Sequence, residues 1–133
     1  MELKGILRKL DCSENKQFNE IGEFWDFMSK LYPKNKLKGL GYNWKNNYID
    51  YVIGDIDNDF DYSVKKIYEK YPDSKCIVIQ LPDKGWEIYS GKLNDIENIY
   101  KNIYQNGPLD YEIEEIDDEG NFRVSILRQH TLE

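Results

Sequence analysis

The stretch Leu109-Asp110-Tyr111-Glu112-Ile113-Glu114-Glu115-Ile116 carries carboxylates among apolar side chains. Alternation of apolar and polar residues over this length predicts a β-strand. Successive side chains of a strand point to opposite faces, so Glu112 and Glu114 share one face while Tyr111 and Ile113 share the other. The pattern alone leaves open which face is buried.

Strands surround this one on both sides in the sequence. Residues 122–128 alternate like residues 110–117 and follow a Gly-containing turn, which predicts a final hairpin. Earlier in the chain, apolar runs predict strands at residues 76–81 and 86–90, with a Pro- and Gly-containing turn at residues 82–85 between them.

A helix is predicted between the strand at 86–90 and the final hairpin. Asn94 can cap its start while Glu97 reaches back to the same turn, and Asn106-Gly107-Pro108 ends it. Its apolar stripe consists of Ile96, Ile99, Tyr100, Ile103 and Tyr104. This spacing predicts an amphipathic helix with one face on the sheet.

The first half of the chain has a similar order of elements. A strand is predicted at residues 4–10 and a hairpin at residues 37–44 and 48–57, whose turn includes Asn46 and Asn47 because Asn tolerates positive φ. Between them lies a helix that Pro33 ends. Its apolar residues follow helical spacing at Phe18, Ile21, Trp25, Met28 and Tyr32.

This doubling predicts an α+β fold with an antiparallel sheet and helices packed on it. We expect a single domain over residues 1–133, with a first unit at about residues 1–58 and a second at about residues 74–129. A short helix at residues 61–71 links the two units. A doubled unit with an acidic group in an aromatic setting suggests a cleft that binds a small molecule.

Composition narrows the class of protein. The 133 residues suit one domain, and the net charge of -7 disfavours nucleic-acid binding, which draws on Lys and Arg. No apolar run approaches the roughly 20 residues that span a bilayer, and no signal peptide follows Met1. We therefore expect a cytoplasmic protein with no membrane or direct nucleic-acid contact, in which Cys12 and Cys76 are free thiols.

Metal and cofactor sites are not predicted. Cys12 and Cys76 have no CxxC spacing and His130 is the single histidine, so a zinc site would need carboxylate ligands. A Cys–His nucleophile pair is the remaining formal alternative, with His130 in the C-terminal tail. The glycines at positions 39 and 41 lie in a predicted strand and lack the third glycine of a dinucleotide loop. We expect no metal, no cofactor and no catalytic constellation of this kind.

Several of these residues together resemble the GyrI-like superfamily, which includes the effector-binding domains of AraC-type and MerR-type multidrug regulators. They are Trp25 on the first helix, the strand Tyr48-Ile49-Asp50-Tyr51-Val52-Ile53-Gly54 and the late segment Pro108-Leu109-Asp110-Tyr111-Glu112. The resemblance covers nearly the whole chain and depends on the order of short motifs. It implies two βαββ units related by a pseudo-twofold axis, with a ligand cleft between the halves.

The resemblance also implies a site. Glu112 matches a buried acid that meets bulky, apolar and often cationic ligands, while Trp25 and Tyr51 match aromatic positions of the pocket wall. Glu114 departs from the family, which often has an aromatic residue there. Trp86 and Tyr89 are further wall candidates, although their odd spacing puts them on opposite faces of a strand.

Simpler interpretations stay open for each residue of this site. Glu112 could be an exposed acid on an edge strand, and the aromatic residues could belong to the core. Tyr42 and Trp44 lie two apart, so we expect them to share a face and cover exposed sheet surface.

Three functions follow from these residues. The first is a stand-alone small-molecule-binding protein, which would regulate transcription only through another chain or by sequestering a compound. The second is a hydrolase of strained electrophilic toxins, with Glu112 as base or charge stabiliser and Tyr51 orienting substrate or water. The third is an acidic module that binds a basic protein such as a regulator or gyrase. Binding is preferred to catalysis because no other catalytic constellation is present.

Overall fold

The computed structural model describes residues 1–128, and these contain seven strands and three α-helices. In chain order the elements are β1 (Glu2–Asp11), α1 (Lys16–Leu31), β2 (Lys38–Lys45), β3 (Tyr48–Asp55), α2 (Lys65–Lys70), β4 (Lys75–Gln80), β5 (Glu87–Lys92), α3 (Ile96–Gln105), β6 (Leu109–Ile116) and β7 (Asn121–Arg128). All seven strands join one sheet in the order β4-β1-β3-β2-β6-β7-β5. Every neighbouring pair is antiparallel, so the predicted α+β class with an antiparallel sheet is confirmed.

The two halves of the chain meet at the centre of the sheet, where β2 pairs with β6. Gly39 lies opposite Glu114 and Gly41 lies opposite Glu112. The β2–β3 hairpin turns through Asn46 and Asn47, which adopt φ of 52° and 68° as the turn prediction requires.

Helices α1 and α3 lie on the same face of the sheet, above its two halves. The side chains of α1 that face β1 and β3 are fully or almost fully buried, and they are Phe24, Trp25 and Met28. Under α3, Ile103 packs with Phe122, Val124 and Ile126 of the β7 half. Most of each predicted apolar stripe therefore packs in the core of this face, whereas Phe18 of α1 is 62% exposed and Tyr104 of α3 is 50% exposed.

The strands that flank the predicted turn at residues 82–85 lie at opposite edges of the sheet. β4 pairs with β1 and β5 pairs with β7. Residues 81–86 connect them across the face that carries no α-helix, where Leu81 is buried and Trp86 packs on Tyr111. Seven strands about 4.8 Å apart would set the edges of a flat sheet about 29 Å apart, whereas this connection reaches at most about 24 Å. The sheet therefore curves around that connection.

Two local predictions differ from the structure. The second predicted helix covers only Lys65–Lys70, because residues before it form turns in which the Asp61 carboxylate accepts hydrogen bonds from the Ser63 N–H and hydroxyl. The predicted capping box of α3 does not form. Leu93–Asp95 form a 3-10 turn instead, and Asp95 at the helix start makes no side-chain capping bond. Within residues 1–128, no helix is both long and apolar enough to cross a membrane.

Candidate functional site

Glu112 and Glu114 are buried at the centre of the molecule. They are 5% and 8% exposed, and both lie on the face of β6 that the helices cover. Ile113 on the opposite face is 5% exposed. The strand is therefore buried on both faces, which answers the question that alternation left open and rules out an exposed acid at position 112.

Two glycines of β2 make room beside these acids. A methyl group at Gly39 would lie 2.2 Å from the Tyr51 hydroxyl oxygen and 2.9 Å from the Trp25 ring. Gly41 is also close to the Tyr51 ring, with 3.7 Å between its Cβ position and the ring. Because neither glycine has a side chain, the Tyr51 ring can cross β2 and reach β6.

A chain of buried hydrogen bonds joins α1, β3 and β6. The Trp25 indole N–H donates to the Tyr51 hydroxyl oxygen at 2.8 Å, and the Tyr51 hydroxyl donates to Glu114 Oε1 at 3.2 Å. Trp25 is 5% exposed and Tyr51 is 1% exposed. Tyr51 therefore contacts Glu114 directly, Trp25 is linked to Glu114 through Tyr51, and both aromatic residues also belong to the core.

Tyrosines of α3 cover the acids from the other side. The Tyr104 hydroxyl donates to Glu112 Oε2 at 2.8 Å, although half of the Tyr104 residue surface is exposed. Tyr100 stacks on Tyr104 with ring centroids 5.7 Å apart. The buried Tyr100 hydroxyl has no hydrogen bond of good geometry within residues 1–128, yet it lies close enough to both carboxylates to lower their pKa.

Burial dominates the electrostatics of the pair. Loss of water raises the pKa of Glu112, and the pKa of Glu114 rises through burial and then through the negative charge of Glu112. The two carboxyl groups lie two residues apart on the same face of β6, where each accepts a hydrogen bond from a tyrosine hydroxyl. Neither makes a salt bridge within the described part of the chain. The hydroxyls that contact the pair stay neutral, because burial and the carboxylates raise the pKa of Tyr51 and Tyr104.

The neighbouring Glu115 is a partly buried acid of the same strand that has cationic partners. It lies on the opposite face and pairs with Lys38 and Arg123. Burial acts to raise the pKa of Glu115, but hydrogen bonds and charge from Lys38 and Arg123 outweigh burial, so the net pKa is lowered. Glu112 and Glu114 differ from Glu115 because neither forms a salt bridge with any of residues 1–128.

The other predicted wall residues lie away from the acids. Trp86 packs on the helix-free face against Tyr111, and its indole N–H donates to the Pro82 carbonyl at 2.8 Å. Tyr89 lies opposite Val124 in the core beneath α3. The prediction that Trp86 and Tyr89 point to opposite faces is confirmed, and the structure brings neither into hydrogen-bonding contact with Glu112.

A β-bulge places Trp44 on the site side of the sheet. The register of β2 shifts between Tyr42 and Lys45, where Asn43 adopts a φ of 58°. Tyr42 packs on Tyr111 on the helix-free face, whereas the Trp44 ring lies 3.6 Å from the Cβ position of Gly41. The prediction that Tyr42 and Trp44 share a face is therefore wrong, because a bulge interrupts the alternation of side chains.

A depression of about 440 Å³ opens beside this bulge. Its lining consists of Asn43, Trp44, Tyr104, Pro108, Leu109 and Asp110. Tyr104 lies between this space and Glu112, to which its hydroxyl is bonded. The acids are therefore closed off by the protein's own tyrosine, and the outer side of that tyrosine faces an open space.

Sequence reasoning missed the tyrosines of α3 and the role of Trp44. Tyr100 and Tyr104 were predicted only as part of an apolar helix stripe, although their four-residue spacing stacks them on one helix face. The sequence resemblance marks Glu114 only as a departure from the GyrI-like pattern and gives it no place in the site. The signal for it was present, because a spacing of two residues puts it beside Glu112.

The arrangement is an acidic pair enclosed by aromatic side chains, which suits a cation or a proton. No group of three or more His, Cys, Asp and Glu side chains able to hold a metal ion occurs among residues 1–128. Cys12 and Cys76 are free thiols, and His130 lies outside the described residues. No protein-family model matches the chain, and no curated protein matches its sequence.

Proposed function

We propose that this chain binds bulky, apolar monocations at Glu112 and Glu114. The observation that carries the proposal is that both acids are buried without a cationic partner in the described part of the chain. A buried carboxylate that lacks a partner is costly, and such groups are commonly retained where function requires them. A ligand cation would supply the missing partner.

The aromatic surroundings support the same ligand class. Tyr51 and Tyr104 bond to the acids, and behind them Trp25 bonds to Tyr51 while Tyr100 stacks on Tyr104. Each aromatic face turned to a cation contributes about 0.5–2 kcal/mol of attraction. The depression beside Tyr104 has about 440 Å³, within the range of small-molecule sites. In this proposal the ligand enters beside Trp44 and displaces Tyr104 from Glu112.

We also propose that the fold consists of two βαββ units related by a pseudo-twofold axis between β2 and β6. The strand order supports this, because β1-β3-β2 in one half is mirrored by β6-β7-β5 in the other. In this view α2 and β4 are an addition at the β1 edge, and the site lies in the cleft between α1 and α3. This arrangement is the one expected for a GyrI-like effector-binding domain, the family to which we assign the chain as part of the proposal.

Tetraphenylphosphonium tests the proposed function because its charge is permanent and its surface is aromatic. Wild type should gain thermal stability as this cation is added, and triphenylphosphine oxide, a neutral relative, should have a much smaller effect. Saturation at a hundredfold excess over Kd corresponds to roughly 2.7 kcal/mol of stabilisation. Glu112→Gln should lose most of the response to the cation.

The matched control is Glu119→Gln, which changes the net charge equally at an exposed position in the β6–β7 turn. It should respond to the cation as wild type does. An equal loss of cation response in Glu112→Gln and Glu119→Gln would show that only the overall charge matters, and the proposed site would be wrong.

A hydrolase that uses the same acids is the second candidate. The raised pKa values of Glu112 and Glu114 favour it, because a carboxyl group whose pKa lies near neutral pH can act as a general acid or base. Steady turnover of a strained electrophile by wild type, abolished in Glu112→Gln, would support catalysis. Stabilisation by cations with no turnover across a panel of electrophiles would leave binding as the function.

A further inference from the structure

We propose that Glu112 and Glu114 share one proton while the site is empty and release it to solvent when a monocation binds. Ligand binding at this site would then be an exchange of one cation for one proton. The inference rests on the proposed function, since the exchange takes place at the same two carboxyl groups, and it adds a pH dependence that the proposed function does not require.

The burial and placement of the two acids favour a shared proton. Glu112 and Glu114 are 5% and 8% exposed, lie two residues apart on one face of β6, and have no salt-bridge partner among residues 1–128. An ionised carboxylate only accepts hydrogen bonds, so contact between two carboxyl groups becomes favourable when one of them is protonated and donates. Two ionised groups side by side in this buried setting would repel each other.

The groups that face the pair do not supply a positive charge. From the described residues, β3 contributes the Tyr51 hydroxyl and α3 contributes the hydroxyls of Tyr100 and Tyr104, which are neutral donors. α1 contributes the Trp25 indole, which does not titrate and bonds to Tyr51. The β2 neighbours are Gly39 and Gly41, and the β7 neighbours are Val124 and Ile126. The charge of the site is therefore set by the two carboxyl groups alone.

Exchange keeps the buried charge constant. The empty pair holds one carboxylic acid and one carboxylate, with a net charge of about -1. When a monocation enters, the acid loses its proton to the solvent, and two carboxylates plus the ligand charge again sum to about -1. A neutral ligand brings no positive charge to stabilise a second carboxylate, so the proton stays on the pair. The site therefore selects monocations over neutral molecules of similar shape.

A measurement without ligand tests the shared proton directly. Infrared spectra of wild type at about pH 7 should show the carbonyl stretch of a protonated carboxylic acid, since ordinary Glu and Asp side chains are ionised there. The band should disappear in Glu114→Gln, and in Glu112→Gln it should shift or weaken, because burial still acts on Glu114 there but no carboxylate shares its proton. It should persist in Glu119→Gln. Absence of the band in folded wild type would overturn the shared proton, whatever ligands bind.

Calorimetry with tetraphenylphosphonium tests the exchange. Titrations in phosphate and in Tris, which differ in ionisation enthalpy, should show release of about one proton per cation bound by wild type, with affinity rising about tenfold per pH unit while the pair holds its proton. The cation itself carries no exchangeable proton, so any release comes from the protein. Glu114→Gln should bind the cation with release close to zero, and circular dichroism confirms its folding.

The outcomes separate this inference from the proposed function. Cation binding by wild type without proton release would overturn the exchange and leave the binding site intact. Failure of wild type to bind the cation, with the infrared band present, would overturn both the monocation site and the exchange. Equal proton release by wild type and Glu114→Gln would show that another group releases the proton, and would also overturn the exchange.

Discussion

The two helices that cover the sheet differ in how firmly the core holds them. α1 has 16 residues and buries Phe24, Trp25 and Met28, and the indole of Trp25 is bonded to Tyr51. α3 has 10 residues, and Ile103 is its one fully buried side chain. The site therefore has a wall fixed by the core on the α1 side and a lighter cover on the α3 side.

The hydrogen bonds to the acids follow the same difference. The bond from Tyr51 to Glu114 is buried, and both its residues are less than one-tenth exposed. The bond from Tyr104 to Glu112 comes from a half-exposed residue at the edge of an open depression. Local opening is easiest where few apolar contacts must be broken, so we expect α3, and not α1, to move when the acids become accessible.

Truncation of one core residue in each helix tests whether the core holds α1 more strongly than α3. Phe24→Ala should lower the free energy of unfolding by about 3–5 kcal/mol, because it removes a fully buried ring that also packs edge-on against Tyr51 and Tyr71. Ile99→Ala on α3 should cost about 1–2 kcal/mol, since Ile99 is only partly buried. Urea unfolding followed by circular dichroism measures both values. Losses of similar size would mean that α3 is held as firmly as α1.

The pH dependence of stability should distinguish Glu115, which forms salt bridges, from Glu114, which forms none within residues 1–128. The folded protein holds the pKa of Glu114 above its ordinary value of 4.5, so the folded state binds more protons than the unfolded state. Its contribution is fully present below that ordinary value and is lost as pH rises through the raised folded pKa. Glu114→Gln should therefore become more stable relative to wild type, on the order of 1–3 kcal/mol, as the pH rises from about 4.5 to about 8.

Glu115 provides the opposite sign one residue away. Its folded pKa is lowered, so its contribution is present above the ordinary value and is lost as pH falls through the folded pKa. Glu115→Gln should therefore lose stability relative to wild type at neutral pH and approach it in acid. Thermal unfolding of the three proteins across the same pH range checks both signs. If both variants changed in the same direction, the contrast between the two faces of β6 would be wrong.

Local patterns predicted most of the elements and part of the site. Helical spacing gave α1 with Trp25 on its buried face, and Asn46-Asn47 gave the β2–β3 turn. Alternation put Glu112 and Glu114 on one face of β6, where the structure has them. These features depend on residues close together in the sequence, and their physical causes can be recognised there.

The remaining features depend on contacts between distant residues. The pairing of β4 with β1 could not be recognised, because the turn at residues 82–85 is followed by a strand that fits a local hairpin equally well. Trp44 was placed on the wrong face because one bulged residue, Asn43, reverses the alternation after it. Helical spacing puts Tyr104 in the apolar stripe of α3, because spacing shows which face of the helix a side chain occupies. It does not show which group the hydroxyl contacts, and here that group is Glu112.

The smallest expected effect on the free energy of unfolding comes from removing the hydroxyls of Tyr100 and Tyr104 on α3. Tyr104→Phe removes the hydrogen bond to Glu112 and should cost about 0.5–1 kcal/mol, a small value because the residue is half exposed. Tyr100→Phe should be close to neutral or slightly stabilising, because its buried hydroxyl has no well-formed bond within residues 1–128 to lose. Thermal unfolding of the two variants in parallel measures this difference.

For ligand binding we expect the opposite effect of Tyr104→Phe, which should lower stability but raise the affinity for the cation. If the cation must displace the Tyr104 hydroxyl from Glu112, Tyr104→Phe removes that obstacle and should tighten tetraphenylphosphonium binding by about two- to fivefold, the equivalent of the bond that no longer has to break. Tyr100→Phe should change the affinity less. Weaker binding by Tyr104→Phe would mean that its hydroxyl contacts the ligand and does not cover the acid, and α3 would then be a second fixed wall like α1.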